Sequence, residues 1–521
     1  MTKTSSPVSS ITFVARKRHK PLTPTKLIIV VAALAVLIFS ATLSGTIVST
    51  ATRSISKDLG HDNITWVAQA FLILCTALQP AWGKFSDIFG RRIPMIMGIV
   101  LLAIFSGLAG ASVNMMMLII ARAIMGIGAS SSLAMVNIIL ADIVPIRKRG
   151  KYMGFISAAN GVGQVIGPLL GGLISDTLGW RWTQFINIPL LIVAAVPLIM
   201  FVWLPTPGGT VLQKLGKVDW KGVACLVLAT VLLLLGVDFG GTDNSWGKPR
   251  AYTLMLAGIL LFVGFCFIEL KTSKDPIISM QLMRYRNVWI NLVGALITGS
   301  VMYVGIFYIP VFFTAVYEAT ATKAGTLTWP WMVCVIISSV GCGIAITKYG
   351  IYRPYLWIGS ILLSVGFGLM YTLKPEQNFT KQAIYISIVG LGIGFRLPPA
   401  TISAQAVVTK EELASTTALV NFARSMGGIL GLSISKAIQS SSFTSKASNL
   451  SQLHPEYSHI ISEVAKGKPL EIWKIQDEII RDSVLKDFVD SIKIVFLICS
   501  IIAIIGLVFS FYIIHDDSEY Y

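Results

Sequence analysis

The ten residues Gly83-Lys84-Phe85-Ser86-Asp87-Ile88-Phe89-Gly90-Arg91-Arg92 stand between two long apolar segments, and that setting decides the fold class. Two glycines seven residues apart, a central Asp87 and the basic pair Arg91 and Arg92 describe a tight, charged cytosolic hairpin between membrane helices.

Composition agrees with that setting. The 521 residues are 54% hydrophobic and 13% charged, with a mean hydropathy of +0.74, far more apolar than a water-soluble chain of this length. A helix needs about 20 mostly apolar residues to cross roughly 30 Å of hydrocarbon. Such runs lie near 28–50, 64–82, 93–112, 115–137, 150–174, 183–204, 220–240, 251–271, 288–314, 324–347, 354–373, 380–402, 413–436 and 492–514. The expected fold is all-α and polytopic, with fourteen transmembrane helices. All six cysteines fall inside these runs without metal or redox spacing and read as packing residues.

A formal net charge of +17 could signal nucleic-acid binding, but the basic residues gather in loops beside apolar runs, which is how a membrane chain is oriented. An even helix count returns both termini to the cytosol. The loops then labelled cytosolic are rich in lysine and arginine, among them Arg91, Arg92, Arg147, Lys148 and Arg149, whereas the opposite short loops hold far fewer. Three Asn-X-Ser/Thr acceptors, at Asn63, Asn378 and Asn449, all fall on the non-cytosolic side as glycosylation candidates. The expected partners are the lipid bilayer and a small-molecule substrate, with no nucleic acid and no metal. His454 and His459, in a polar external segment at 437–491, read as solvated loop residues.

The hairpin has a degraded copy. Gly343 to Arg353 reads G-I-A-I-T-K-Y-G-I-Y-R, with Gly343 and Gly350 at the same seven-residue spacing and Thr347 in the place of Asp87. The expected organisation is a basic arm (1–27), a six-helix bundle (28–204), two inserted helices (205–287), a second six-helix bundle (288–514) and a short tail (515–521). Paired six-helix halves place a substrate site near the bilayer midplane.

Several further motifs carry a family resemblance. L-I-I-A-R-A-I-M-G-I-G at Leu118–Gly128, G-V-G-Q-V-I-G-P-L-L-G-G at Gly161–Gly172, W-R-W-T-Q-F-I-N-I-P at Trp180–Pro189 and, more loosely, F-A-R-S-M-G-G at Phe422–Gly428 accompany the hairpin in order. With these the chain resembles the fourteen-helix drug:proton antiporters of the major facilitator superfamily, particularly the fungal members. The resemblance implies gating by Gly83, Asp87, Gly90, Arg91 and Arg92, proton coupling through Arg122, and an antiporter motif at Gly163, Gly167, Pro168, Gly171 and Gly172 that closes one half against the other. It implies no cofactor other than the proton as coupling ion, and a monomeric carrier.

The residues have their own physical reading. An arginine inside an apolar helix costs at least about 2.5 kcal/mol on insertion scales, so Arg122 is expected to face the bundle interior with a partner. Glycines four apart permit close helix packing, and Pro168 removes a backbone hydrogen bond and bends its helix. Helix 1 departs from the family pattern: Leu43–Val48 reads L-S-G-T-I-V, with Ser44 where an acid is usual, and a neutral hydroxyl cannot carry the proton there. Asp238, near the end of helix 7, is the remaining buried-acid candidate, with a water-facing helix end as its alternative. Tyr303, Phe307, Tyr308 and Trp329 read either as a substrate cavity or as lipid-facing aromatics.

The implied function is a secondary active exporter of drugs or toxic organic compounds, at the plasma or vacuolar membrane. A vacuolar basic amino-acid carrier is the alternative within transport, and a transporter-like nutrient receptor the alternative from another class. An enzyme is disfavoured because the five histidines avoid the apolar runs and no nucleophile–base set is present.

Overall fold

The structure is a computed structural model that describes residues 23–60, 64–204, 207–242, 249–271, 276–409, 411–465 and 469–514. Among them, every long apolar run is helical. In chain order the helices are α1 (Pro24–Thr46, continuing as Val48–Leu59), α2 (Thr65–Ala77 and Gln79–Phe89), α3 (Arg92–Gly110), α4 (Met115–Ile143), α5 (Ile146–Thr177) and α6 (Arg181–Phe185 and Asn187–Phe201). They continue with α7 (Trp220–Thr242), α8 (Pro249–Lys271), α9 (Arg286–Val316), α10 (Trp329–Tyr349), α11 (Arg353–Tyr371), α12 (Phe379–Gln405), α13 (Leu413–Leu453) and α14 (Glu478–Phe511).

Among the described residues, twelve helices are long and apolar enough to cross a membrane. The other two expected segments are helical but differ in character. Pro80 lacks an N–H, and α2 breaks at Leu78 just before it. Helix α13 is long but diluted by polar residues, and it runs unbroken to Leu453, well past the expected end at 436. Much of the 437–491 segment is therefore helix. Ile461, Val464 and Ile472 from it are buried in the apolar cluster of the second bundle, and the Trp473 indole donates to the Ala315 carbonyl at 2.9 Å.

One pattern of neighbours occurs twice. α1 packs on α5 and α6, α4 on α2 and α3; α9 packs on α13 and α14, α12 on α10 and α11. The inserted α7 lies against α2 and α13, one helix from each bundle, with Trp220 5.9 Å from Phe85 and Phe239 6.0 Å from Trp66 between ring centres. α8 packs on α7 and leaves Leu260, Val263 and Phe267 exposed, as a lipid-facing helix does.

Candidate functional site

The two hairpins lie on one face of the molecule, where the bundles touch. Gly90 and Gly350 both have positive φ, 86° and 74°, which ends each helix in a conformation that favours glycine. The first glycine of each pair allows a close crossing. A Cβ on Gly83 would sit 2.9 Å from Ala418 Cβ and 3.2 Å from the Ala414 carbonyl of α13. A Cβ on Gly343 would sit 2.3 Å from the Gly150 carbonyl of α5. Beside it, Thr347 Oγ1 accepts the Lys151 backbone N–H at 2.7 Å, so the residue in the place of Asp87 fastens one bundle to the other.

Asp87 is held differently. Arg91 Nη1 donates to Asp87 at 2.5 Å and to Ser86 Oγ at 2.8 Å, while Arg91 Nε donates to Asp142, at the end of α4, at 2.8 Å. Arg92 points elsewhere: it lies over the Trp203 ring at 3.9 Å and donates to the Ile199 carbonyl. Arg91 is thus the hub of the charged cluster, and Arg92 ties α3 to the end of α6.

The antiporter-motif glycines need a correction. Cβ atoms on Gly163, Gly167 and Gly171 would come within 2.2 Å of Thr42 Oγ1, 1.9 Å of Thr46 Oγ1 and 2.0 Å of the Ile47 carbonyl, all on α1 of the same bundle. Pro168 belongs to that seam, its carbonyl accepting Thr50 Oγ1 at 2.8 Å, and Gly172 is buried. The face of α5 that meets the other bundle carries Gly150, Gly154 and Gly161, opposite Gly343, Ser339 and Val335 of α10. The 3.6-residue period explains the division, because residues 150, 154 and 161 share one face and 163, 167 and 171 another.

Arg122 is fully buried, but its partners are not acids. Its Nη1 donates to the Ser44 carbonyl at 2.7 Å and its Nε to the Val67 carbonyl at 3.1 Å, with the Phe71 ring 4.4 Å from the guanidinium carbon. Ser44 Oγ turns away to the Ser40 carbonyl. The position of the family acid is therefore next to Arg122, and main-chain oxygen takes its place.

A cavity of about 50 Å³ lies between the bundles, lined from α1, α2, α4, α5, α9 and α13. Five amides, Gln79, Asn137, Asn160, Gln164 and Asn421, surround it together with Arg424, and among the described residues no acid lines it. Tyr303 contributes an aromatic wall, and Ile38, Leu133 and Met302 the apolar part. The other aromatic candidates lie elsewhere. Phe307 packs against the core of the second bundle, Tyr308 is buried within it, and Trp329 is 55% exposed at the start of α10. Tyr308 is on another face of α9 from Tyr303, and a tryptophan at a helix end faces the surroundings as aromatic belts do.

The Major Facilitator Superfamily profile matches residues 32–432. The chain belongs to the major facilitator superfamily. Among relatives of this superfamily member, the multidrug transporter protein MdtP of Bacillus subtilis is 30% identical over 81% of this chain and 77% of its own length. The MFS-type transporter gkaD of Penicillium citrinum is 30% identical over 92% and 83%. The MFS-type efflux pump MFS1 of Arthroderma benhamiae is 30% identical over 80% and 79%. In fold, the superfamily member is similar to the human organic anion transporter MFSD10, with a TM-score of 0.58 at 14% identity over 94% of this chain and 100% of that one. A bacterial homologue of the human lysosomal transporter Spinster, inward-facing and occupied, gives 0.55 at 15% identity over 92% and 95%.

As a major facilitator, this is an integral multi-pass membrane protein that carries small molecules, and it is not an enzyme. Several features of this facilitator escaped the sequence reading. Arg396, in α12, is buried and donates to Thr298, Ser510, Ser360 and the Gly294 carbonyl. Glu269, near the end of α8, is a buried acid whose Oε1 accepts the Ile277 N–H at 3.0 Å. Their signal was present as charged residues inside or at the edge of apolar runs, as for Arg122. Asn378 is exposed, and its side chain caps α12 by accepting the Lys381 N–H. Asn63 and the side chains of Asp238 and Asn449 lie outside the described residues.

Proposed function

We propose that this protein is a secondary active exporter of small organic compounds, working by alternating access of the central cavity. The observation that carries the reading is the pairing of a polar cavity between two bundles with a hairpin face closed by two glycine crossings, Gly83 on α13 and Gly343 on α5. The closure combines these backbone approaches with an apolar cluster that runs across both bundles, Cys342, Ile346 and Ala414 of the second packing with Ile139 and Met153 of the first, and rocking of one bundle against the other would release both. The relatives named as multidrug transporters and efflux pumps support the same direction of transport.

The hairpin face is assigned to the cytosol, the protein to the plasma or vacuolar membrane, and the working unit to a monomer. The proton stays as the proposed coupling ion, by family resemblance. Ser44 cannot carry it, so another group must. The vacuolar basic amino-acid reading is disfavoured by a cavity lined by Arg424 and, among the described residues, by no acid. The test is flux in vesicles containing the purified protein, under an imposed pH gradient and with an uncoupler. A gradient-driven flux that the uncoupler abolishes supports proton exchange. Flux indifferent to both leaves a carrier without proton coupling, and no flux of any solute overturns the export reading.

A further inference from the structure

Arg122 and Arg396 are buried and held by close hydrogen bonds, whereas Arg424, partly buried at the cavity wall, is held only loosely. Arg122 and Arg396 each bond to other helices, Arg122 to main-chain oxygens and Arg396 chiefly to hydroxyls. Arg424 reaches only Asn421 Oδ1 at 3.5 Å and Thr401 Oγ1 at 3.4 Å, both at the limit of hydrogen bonding, and its Nε is buried without a partner. Three other residues of the same cavity also carry unsatisfied buried atoms: Asn421 Nδ2, Gln79 Oε1 and Gln164 Oε1.

Buried polar atoms in folded proteins are nearly always bonded, and leaving one unmade is unfavourable. Four orphans from one cavity, contributed by α2, α5 and α13, therefore mark a place where something else completes the bonding. The sign of the charge identifies its chemistry. A guanidinium in a site of low dielectric, with no acid among the lining residues, favours an anion and repels a cation. A guanidinium fork also matches a carboxylate in geometry.

We propose that the central cavity binds carboxylate-bearing organic solutes, with the carboxylate on Arg424 and Asn421 and a donor group of the solute on Gln79 or Gln164. This rests on the export reading above and names its substrate class. A cavity of about 50 Å³ is well below the roughly 150 Å³ in which a single benzene ring is held, so the bundles must part to admit such a solute.

The test uses two dyes that share a ring scaffold and differ in charge, fluorescein as the anion and rhodamine 123 as the cation, with vesicles holding the full-length protein. The expected result is fluorescein flux without comparable rhodamine flux. Arg424→Gln is expected to cut the fluorescein flux about tenfold or more, and Arg424→Lys to restore part of it, because the charge returns without the fork. Benzoate, but not benzylamine, is expected to raise the thermal stability of the purified wild-type protein, a readout that does not depend on a variant folding. Rhodamine flux equal to that of fluorescein, a fluorescein flux indifferent to Arg424→Gln, or equal stabilisation by benzylamine would overturn the substrate class while leaving an exporter. Absence of flux for both dyes and for neutral solutes would overturn the export reading and the substrate class with it.

Discussion

Arg91 joins two carboxylates from different helices, and a conformational change of the hairpin face must rearrange that junction. With Asp87→Asn, Arg91 keeps Asp142 and the Ser86 hydroxyl, so the junction loses its charged partner on α2 and is left with a neutral one. The expected outcome is a protein inserted at normal levels that no longer transports; near-normal flux would refute the gate. On the opposite face, Asp58 accepts from Arg181 and from the Trp180 indole, and these bonds hold its carboxyl below the ordinary carboxylate range. A lowered folded pKa means that stabilisation is complete above the ordinary value of about 3.9 and is lost as pH falls through the folded value. Asp58→Asn should therefore lower Tm slightly and equally at pH 7 and pH 5, with the gap closing in stronger acid and narrowing with salt, since both groups are half exposed. A gap that opened on acidification would contradict this. At this scale, the burial of Arg122 was legible from one charge inside an apolar run. The absence of an acidic partner was legible only as Ser44 breaking the expected pattern, because carbonyl partners leave no mark in a sequence.

Helix α5 presents two glycine faces with two duties, and substitutions on them should fail in different ways. Gly167→Leu places side-chain atoms where Thr46 stands, and overpacking of this kind costs about 1–3 kcal/mol or more. Lower thermal stability and poor insertion are expected. Gly150→Val meets the backbone of Gly343 on the other bundle, so each bundle stays intact while the hairpin face is pushed open. Maleimide should then label Ser415→Cys, which sits at the other crossing with its Cα 3.4 Å from where a Cβ on Gly83 would lie, faster in a chain freed of its native cysteines, with Tm close to that of the parent. Equal labelling would show that the crossing is not what closes this face. The helices themselves were legible as apolar runs, whereas the break in α2 before Pro80 emerged only in the structure. The extension of α13 beyond 436 was not, because its polar residues carry no hydropathy signal and it gains its apolar cover from the second bundle.

The spacing of four glycines, Gly83 with Gly90 and Gly343 with Gly350, pointed to the pattern of helix neighbours that occurs twice in the molecule. The cavity was not legible, because its five amides are spread over α2, α4, α5 and α13, with no more than two on any one helix, and meet only when the bundles close. Arg424 gives that meeting an electrical consequence. A cleft that is cationic when vacant and neutral when it holds a monoanion moves net charge only on its vacant return. An elementary charge crossing a full membrane potential is worth about 2.3 kcal/mol per 100 mV, so a cytosol held negative would draw the vacant cleft back and quicken each cycle of expulsion. Turnover that climbs with interior-negative voltage under a potassium–valinomycin clamp, and flattens in Arg424→Gln, is the expected signature; voltage would then add its pull to that of the proton gradient.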